Sequence, residues 1–392
     1  MTMKIYNKCH NKAKTRFFSE GPSALGLRGR GKDTTGLCPE PCGSRPCRPA
    51  AQDTDSAGRL MTAYIGRARH WPEEKRSCVA FAAFVVILML SVSCSNKRQD
   101  DGVTRIAALR GPSAVAMVQW IDSLAKTDNA ATEITICDEP LQLRKKMLEG
   151  SVDFAVLPTT MAALMYNGGI DYRIAAVPLW GTLYLCGTDT SVRSIGQLKG
   201  RRVHLMAKGM TPDILFRHLV RGAGLDPDSD IDCDYRFPTH IDLANAAIAG
   251  RTGFCVLSEP YASQVENANP DFHILVDLGR EWEKNESAAL AETAFLCRGD
   301  LSGSGRTKEI LGVFTRSAEW VNANPDSAAA LAAAFGINPD TAAVRRSIPN
   351  SHIKVVATAD AENEIKSYLA IFLQDSPEAV GGGMPDDDFY AK

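Results

Sequence analysis

The chain has 392 residues, of which 45% are hydrophobic and 23% are charged, a normal globular mixture with enough material for two domains. The formal net charge of −2 is unevenly distributed, because residues 1–60 hold eleven Lys/Arg against five Asp/Glu, whereas residues 94–392 hold 29 basic and 39 acidic residues. An acidic body of this kind argues against nucleic acid as a partner.

Residues 1–93 have the order of an export leader. A basic segment comes first, followed by the uncharged apolar stretch Cys78–Ser93 and then by Cys94. The basic residues nearest to the apolar stretch are Arg67, Arg69, Lys75 and Arg76. The clearly apolar part, Val79–Leu90, has twelve residues, whereas a membrane-spanning helix needs about 20. A transmembrane anchor stays open as the alternative, because the charge-free window Ser77–Asn96 is long enough to span a bilayer.

Cys94 distinguishes between these two interpretations. The segment Leu90–Cys94, LSVSC, resembles the lipobox of bacterial lipoproteins, whose cysteine is lipidated and becomes the first residue of the mature protein. Ser91 occupies the place of the aliphatic residue in the strict pattern and Leu90 lies one place earlier, so the pattern is a relaxed one. Acyl chains on Cys94 would hold the protein on a bilayer, and residues 94–103 would form a polar tether.

The other cysteines predict neither a metal site nor a disulfide framework. Cys38, Cys42 and Cys47 lie in the leader, and no histidines or second close cysteine pair complete a tetrahedral zinc set. A start at Met61 would give a signal of ordinary length, and with either start residues 1–93 are expected to be absent from the working protein. Five cysteines follow Cys94, each in or beside a predicted strand, which favours small buried hydrophobes over disulfides. They are Cys137, Cys186, Cys233, Cys255 and Cys297.

From Thr104 onward, strand-like and helix-like segments alternate. TRIAALRG (104–111) is an apolar run that ends at Gly111, and PSAVAMVQWIDSLAK (112–126) has apolar residues on one helical face. TEITICD is a strand of alternating pattern, EPLQLRKKMLEG a second helix and DFAVLPTT a third strand. The βαβαβ order predicts a parallel sheet with right-handed crossovers.

A second unit of the same kind follows the long apolar stretch Tyr172–Asp189. SIGQLKGRRVHLM predicts a short helix and a strand, and KGMTPDILFRHLVRGAGL predicts a helix with Thr211 as its N-cap and Pro212 in the first helical position. IDCDYRF, HIDLANAAIAG and GFCVLSEP then repeat strand, helix and strand. FHILVDLG and ETAFLC are predicted return strands. Helices are predicted over Lys308–Phe335, within NPDSAAALAAAFGINPD (324–340) and over AENEIKSYLAIFL (361–373).

Four turns are candidates for a ligand site. Open α/β sheets bind ligands beyond the carboxyl ends of their strands, where a helix N-terminus exposes amide groups. In this sequence those turns are Arg110–Ser113, Pro158–Thr160, Lys208–Thr211 and Ser258–Pro260. The alternative at each turn is helix capping or a solvated surface charge. The predicted ligand-binding residues are Arg110, Gly111, Ser113, Pro158, Thr159, Thr160, Trp180, Lys208, Thr211 and Glu259.

Trp180 and Glu259 each have two candidate roles. The Trp180 ring could stack on a flat ligand or pack in the core, and Glu259 could accept hydrogen bonds from an amine-bearing ligand or cap the next helix. The seven histidines show no metal-ligand spacing, and no nucleophile elbow or phosphate-binding loop is present. We therefore expect no catalytic residues, no metal and no cofactor. Acid–base pairs among the abundant Asp and Glu residues stay open, because a sequence does not reveal their geometry.

The segment Leu198–Tyr235, LKGRRVHLMAKGMTPDILFRHLVRGAGLDPDSDIDCDY, resembles the second lobe of substrate-binding proteins of ABC importers in the nitrate, sulfonate, taurine and thiamine-precursor group. AAIAGRTGFCVLSEPYASQ and the terminal GGGMPDDDFY are similar to further segments of that family, so the resemblance extends from Thr104 to Tyr390. It implies an α/β protein with the type II periplasmic-binding fold, in which two lobes are joined by two crossing strands and enclose the ligand.

The resemblance also assigns cleft positions. The turns Gly111–Ser113 and Pro158–Thr160, together with Thr211 and Glu259, match positions that line the cleft in the family. Met206 and Met210 are apolar where smaller or polar residues are common in the family. Some relatives make a pyrimidine with an active-site histidine and a cysteine-rich motif, and that motif does not occur after Cys94.

These observations predict a solute-binding protein of an ABC importer. Lobe 1 would comprise residues 104–185 and 276–392 and lobe 2 residues 186–275, with hinge candidates at Leu183–Gly187 and Leu275–Leu278. The solute would be a sulfonate, a nitrate-like anion or a thiamine-precursor pyrimidine, delivered to a membrane permease driven by an ATPase. The protein is expected to be a monomer, held on the cell membrane by its lipid anchor and facing the periplasm or the cell exterior. An enzyme of pyrimidine or cofactor synthesis and a sensory binding module are the alternatives.

Overall fold

The computed structural model describes residues 102–127 and 131–391. The predicted leader (1–93), the cysteines of the zinc alternative, the lipidation site Cys94 and the tether as far as Asp101 lie outside the described residues. Within the described ranges, no helix combines the length and the apolar character needed to cross a bilayer.

Strands and helices alternate along the described chain as the sequence pattern predicts as far as β10, whereas β11 was not predicted. The strands are β1 (Thr104–Leu109), β2 (Thr132–Cys137), β3 (Phe154–Pro158), β4 (Tyr172–Leu179), β5 (Leu183–Gly187), β6 (Arg202–His204), β7 (Asp232–Asp234), β8 (Phe254–Ser258), β9 (His273–Asp277), β10 (Thr293–Arg298) and β11 (Ile353–Ala357). The helices are α1 (Pro112–Ala116), α2 (Val118–Thr127), α3 (Pro140–Leu148), α4 (Thr159–Asn167), α5 (Thr211–Gly222), α6 (His240–Ile248), α7 (Tyr261–Ala268), α8 (Leu278–Glu286), α9 (Gly305–Ala323), α10 (Pro325–Ala334), α11 (Thr341–Asn350) and α12 (Thr358–Asp375).

The strands form two separate sheets. A six-stranded sheet has the order β11-β4-β10-β3-β1-β2, and a five-stranded sheet has the order β7-β6-β8-β5-β9. In the first sheet β1, β2 and β3 run parallel, whereas β10 and β11 run antiparallel to their neighbours. In the second sheet β6 runs parallel to β7 and β8, while β5 runs antiparallel to β8 and β9. We refer to the six-stranded sheet with its helices as the first lobe and to the five-stranded sheet with α5 to α8 as the second lobe.

The chain passes between the two sheets at Trp180–Thr182 and again between β9 and β10. Gly181 and Gly279 meet backbone to backbone at these connections, because a Cβ on Gly181 would lie 3.2 Å from the Cα of Gly279. Gly181 also has a φ of +108°, a conformation that L side chains rarely adopt. The absence of a side chain at both positions allows the two connections to touch.

Ser317 interrupts the single helix predicted for residues 112–126. Its hydroxyl donates to the carbonyl of Ala116 (2.9 Å) and accepts from the amide of Trp120 (3.2 Å). At Met117 the amide bonds to the carbonyl of Ala114, only three residues back. A side chain inserted into the hydrogen-bond ladder is a known cause of helix breaks, and here it separates α1 from α2.

The prediction of Thr211 as a helix N-cap is wrong by one position. Helix α5 begins at Thr211, and Met210 occupies the N-cap with an extended backbone. The polar groups at this end are satisfied by Asp213, which accepts from the amide of Gly209 (2.7 Å) and from the hydroxyl of Tyr235 (2.6 Å). Because Asp213 takes over this role, the Thr211 hydroxyl is directed elsewhere.

The five cysteines after Cys94 in the described chain are free thiols. Four of them are buried, and Cys233 is half-buried. Their prediction as small buried side chains is confirmed for these four positions.

Candidate functional site

A cavity of about 280 Å³ lies between the two lobes. The first lobe contributes Arg110, Gly111 and Val115 and the loop 337–340, and the second lobe contributes residues of α6 and the start of α7. Both walls therefore lie beyond the carboxyl ends of strands, β1 on one side and β8 on the other. This is the position where open α/β sheets bind ligands.

Gly111 forms the sharp turn from β1 into α1. Its φ of +124° lies in a region that favours glycine, and a Cβ added to it would meet no atom within 4 Å. The backbone at this turn is therefore open to the cavity. Ser113, two residues further on, is buried, and its hydroxyl makes no hydrogen bond to any described residue.

Arg110 holds the mouth of the cavity in place. Its Nε donates to Asp138 Oδ1 (2.5 Å), and one terminal nitrogen donates to the carbonyls of Gly336 and of Ile337, the latter at 2.9 Å. The guanidinium charge is thus balanced by one carboxylate, and its planar donors fix the loop that follows Gly336. Arg110 therefore shapes the cavity in addition to lining it.

An aromatic pair forms the wall of the second lobe. The rings of His240 and Tyr261 stack with centroids 5.4 Å apart and an interplanar angle of 12°. His240 Nδ1 lies 3.1 Å from the hydroxyl of Ser258. Burial lowers the pKa of His240 to about 4, so the imidazole is neutral at neutral pH. Burial also raises the pKa of Tyr261. This wall therefore presents a ligand with the uncharged face of an aromatic ring and with polar atoms at the ring edges.

The first turns of α4 and α5 meet across the cleft. The hydroxyl oxygens of Thr160 and Thr211 lie 2.9 Å apart, within hydrogen-bond distance. Tyr368 of α12 is fully buried, and its hydroxyl has no hydrogen-bond partner among the described residues. Helix N-termini expose amide donors, so this contact closes the interior side of the cleft with polar groups.

Glu259 links the lobes. Its carboxylate is 1% exposed and accepts from the amide (3.1 Å) and hydroxyl (2.9 Å) of Ser263 and from the side-chain amide of Asn350 (2.8 Å). Burial raises the pKa of this carboxyl, while these hydrogen bonds lower it. Asn350 belongs to α11 of the first lobe. Glu259 is therefore held by a contact that spans the two lobes.

The remaining predicted positions lie around the cleft in different roles. Pro158 ends β3 and precedes α4, and Thr159 is buried with its hydroxyl donating to the carbonyl of Ala291 (2.6 Å). The indole of Trp180 donates to the carbonyl of Lys354 (2.7 Å). These three residues do not line the cavity between the lobes, and neither do Ser113, Thr160, Thr211 and Glu259, so that Arg110 and Gly111 are the two predicted ligand-binding residues that do.

Lys208 lines a different, larger groove of about 690 Å³ on the second lobe. Its ammonium nitrogen lies 5.1 Å from the centre of the Tyr235 ring. Three acidic residues of the groove, Asp228, Asp230 and Asp232, are each paired with a basic side chain. Because the groove has no wall from the first lobe, lobe closure would not enclose a ligand there.

Several cavity residues were not predicted from the sequence. They are Ile241, Asn245, Tyr261, Gln264 and the loop 337–340. Tyr261 directly follows the predicted turn Ser258–Pro260, so the position of that turn could have indicated Tyr261 as a cavity residue. The loop 337–340 belongs to the helical end of the chain, more than 200 residues from Arg110, and no local pattern connects the two.

Solved structures with this architecture were found for several binding proteins. An ABC transporter protein from Parabacteroides distasonis shares 27% identity and has a TM-score of 0.67, with 74% of this chain and 99% of that chain covered. The periplasmic aliphatic sulphonate binding protein SsuA from Escherichia coli shares 17% identity, with a TM-score of 0.57 and coverage of 73% and 94%. The periplasmic nitrate-binding protein NrtA from Synechocystis shares 14%, with a TM-score of 0.53 and coverage of 71% and 84%.

No protein-family model and no curated protein sequence matches the chain. The structural neighbours nevertheless confirm two predictions from the sequence, the resemblance to substrate-binding proteins of ABC transporters and the periplasmic-binding fold of two α/β lobes.

Proposed function

We propose that this chain is the solute-binding component of an ABC importer and that it encloses a small polar or heteroaromatic solute between its two lobes. The observation that carries this proposal is the cavity whose walls come from both lobes, with Arg110 and Gly111 on one side and Tyr261 on the other. A solute in this position would touch both lobes at once. Contacts with both lobes favour the closed arrangement over an open one, because only the closed form provides them all.

The chemistry of the walls supports a role in binding. The flat Tyr261 ring backed by His240 can accept the face of a ring, and the open backbone at Gly111 can approach a polar edge closely. Thr160 and Thr211 join the two lobes through their hydroxyls and lie outside the cavity lining, as does Ser113. In this proposal the role of Glu259 is to join the two lobes through its hydrogen bond with Asn350. Lys208 lies outside the cleft. We propose no catalytic step at this site.

The proposed partners are those of an ABC importer, because the structural neighbours include an ABC transporter protein and a periplasmic binding protein. A membrane permease and its ATPase would receive the solute. Cys94 would carry the lipid that holds the protein on the cell membrane, with the lobes facing the periplasm or the exterior, and the protein would act as a monomer. Cells grown with labelled palmitate should label the parent protein, and a Cys94→Ser variant should lose that label. A membrane-bound parent protein that carries no label would favour the transmembrane anchor instead.

The direct test is a thermal-shift screen with the purified full-length chain. Sulfonates, nitrate and phosphorylated pyrimidines are the probes, and a compound present at about a hundred times its dissociation constant should stabilise the protein by about 2.7 kcal/mol. Tyr261→Ala should abolish the shift given by the best probe, while Leu148→Ala, a change on the exposed far end of α3, should keep it. If Tyr261→Ala keeps the full shift, the cavity between the lobes is not the binding site.

A further inference from the structure

Cys186 and Cys255 face each other in the middle of the second lobe. They occupy directly opposite positions on the antiparallel strands β5 and β8. Both are free thiols, with exposed fractions of 1% and 0%. Burial raises the pKa of the Cys186 thiol, and the neighbouring Cys255 raises it further, as expected for two sulfur atoms that lie close together. The other three cysteines of the described chain have no cysteine opposite them.

The hydrogen-bond ladder defines the geometry of this pair. The amide of Thr188 bonds to the carbonyl of Gly253, and the amide of Glu259 bonds to the carbonyl of Thr182. Hydrogen-bonded pairs alternate along antiparallel strands, so Cys186 and Cys255 are also such a pair, with Cα atoms about 5.5 Å apart. That separation is typical of disulfide-bonded cysteines, for which the range is about 4.4–6.8 Å.

The side chains fit a disulfide less well than the backbone does. Opposite residues on one sheet face have Cβ atoms about 4.5–5.5 Å apart, whereas a relaxed disulfide needs about 3.5–4.5 Å. Joining Cys186 to Cys255 would therefore draw β5 and β8 slightly together and strain the bond. Strained disulfides are easier to reduce than relaxed ones.

The polar side chains on the neighbouring strands β6 and β7 are bonded to other groups and do not compete for the two thiols. His204 lies beside Cys255 on β6, and Asp234 lies beside His204 on β7. The imidazole is occupied, with Nδ1 at 3.2 Å from the carbonyl of Phe254 and Nε2 at 3.7 Å from Asp234. No group of three or more His, Cys, Asp or Glu residues in the described ranges has the arrangement of a metal site.

We propose that Cys186 and Cys255 form a reversible thiol–disulfide couple. In the oxidation, a donor disulfide such as oxidised glutathione exchanges with the two thiols. One Cys186–Cys255 bond forms, the donor bond breaks, and two electrons and two protons pass to the donor as two thiols. Because both side chains are buried, exchange takes place when β5 and β8 separate transiently. The bond would link β5 to β8 covalently. β5 follows the crossing at Trp180–Thr182, and β8 leads to Glu259 in the cleft.

The test uses the full-length chain and does not depend on the proposed function. The protein is equilibrated in buffers of graded oxidised to reduced glutathione ratio with urea below the unfolding transition, which speeds local opening. Thiols are then blocked with N-ethylmaleimide in guanidinium, and non-reduced tryptic peptides are identified by mass spectrometry. The peptide that joins Cys186 to Cys255 should become the main form at oxidising ratios and disappear at reducing ratios.

Two variants make the result specific. Cys255→Ser should abolish the cross-linked peptide and leave Cys186 either blocked by the maleimide or in a mixed disulfide with glutathione, whereas Cys297→Ser should keep the cross-linked peptide. The proposal is overturned if Cys186 and Cys255 are both fully blocked across the whole range, or if the cross-link persists at reducing ratios and is therefore not reversible.

Discussion

The hydroxyl oxygens of Thr160 and Thr211 lie 2.9 Å apart, although the two residues belong to different lobes. Each is in the first turn of its helix, α4 or α5, so the contact brings two helix N-termini together at the interior side of the cleft. The pair thus links the two lobes directly.

Removing one of these hydroxyls should loosen the cleft. Thr211→Val keeps the shape of the side chain and removes a hydrogen bond worth about 1 kcal/mol, which corresponds to a shift of about fivefold toward open forms. Hydrogen–deuterium exchange at the starts of α4 and α5 should become faster by a similar factor. Thr315→Val is the matched control, because the Thr315 hydroxyl bonds only to Leu311 within α9. Equal exchange in both variants would show that the contact does not hold the lobes together.

The crossing between the lobes should tolerate no side chain at Gly181. Gly181→Ala places a Cβ 3.2 Å from the Cα of Gly279 and keeps a φ of +108°, and a positive φ alone costs an L residue about 1–2 kcal/mol. The free energy of unfolding measured in urea should fall by at least that amount. Gly196→Ala is the control, since its Cβ would meet nothing within 4 Å. Equal unfolding midpoints for both variants would contradict the close contact of the two connections.

Much of this fold is encoded in local sequence patterns. The apolar run that ends at Gly111 and the alternating TEITICD correspond to β1 and β2 within one or two residues. Long periodic segments such as AENEIKSYLAIFL (361–373) also form the helices expected of them, here within α12 (Thr358–Asp375). These elements depend on side-chain periodicity, which a sequence displays directly.

The misjudged details depend on partners distant in sequence. The break at Met117 arises from Ser317, 201 residues after Ala116, and no local signal marks it. Glu259 fulfils the capping role that the sequence offered, because it accepts from the amide of Ser263 in the first turn of α7, whereas its contact with Asn350, 91 residues away, was not predicted. The turns at the cleft could be predicted, because each follows the end of a predicted strand. The loop 337–340 could not, because it reaches the site only when distant parts of the chain pack together.

Arg110 should be irreplaceable even by lysine. Its guanidinium donates hydrogen bonds to Asp138 and to two backbone carbonyls at the same time. The ammonium group of a lysine cannot reproduce this planar set of donors. Arg110→Lys should weaken the attachment of the loop 337–340 by about 1–2 kcal/mol, since hydrogen bonds from charged groups have this order of strength.

The readout for Arg110 is hydrogen–deuterium exchange of the peptide that contains residues 336–340, which should become faster in Arg110→Lys. Arg144→Lys, an exposed change on α3, should leave that peptide unaffected. Unchanged exchange in Arg110→Lys would mean that the loop is held by its own turn, in which Asn338 accepts from the amide of Asp340.

His240 should make the protein less stable in mild acid. Burial lowers its pKa from 6.5 to about 4, so the folded protein keeps the imidazole neutral while the unfolded chain takes up a proton as the pH falls below 6.5. The unfolded state then binds more protons, and the contribution of His240 to stability is complete above pH 6.5 and is lost progressively as the pH falls toward 4. Each tenfold difference in proton affinity between the two states corresponds to about 1.4 kcal/mol, so the loss is of the order of 2–3 kcal/mol.

Urea unfolding measured between pH 6.5 and pH 4 checks this dependence. His240→Asn keeps a polar atom near the Ser258 hydroxyl and cannot titrate, so its stability should fall less steeply with acid than that of the parent protein. Ser258→Ala removes the hydrogen-bond partner and keeps the imidazole, so it should lower stability while the steep acid dependence remains. Parallel curves for the parent protein and His240→Asn would show that the imidazole in the cleft wall is not kept neutral by its surroundings.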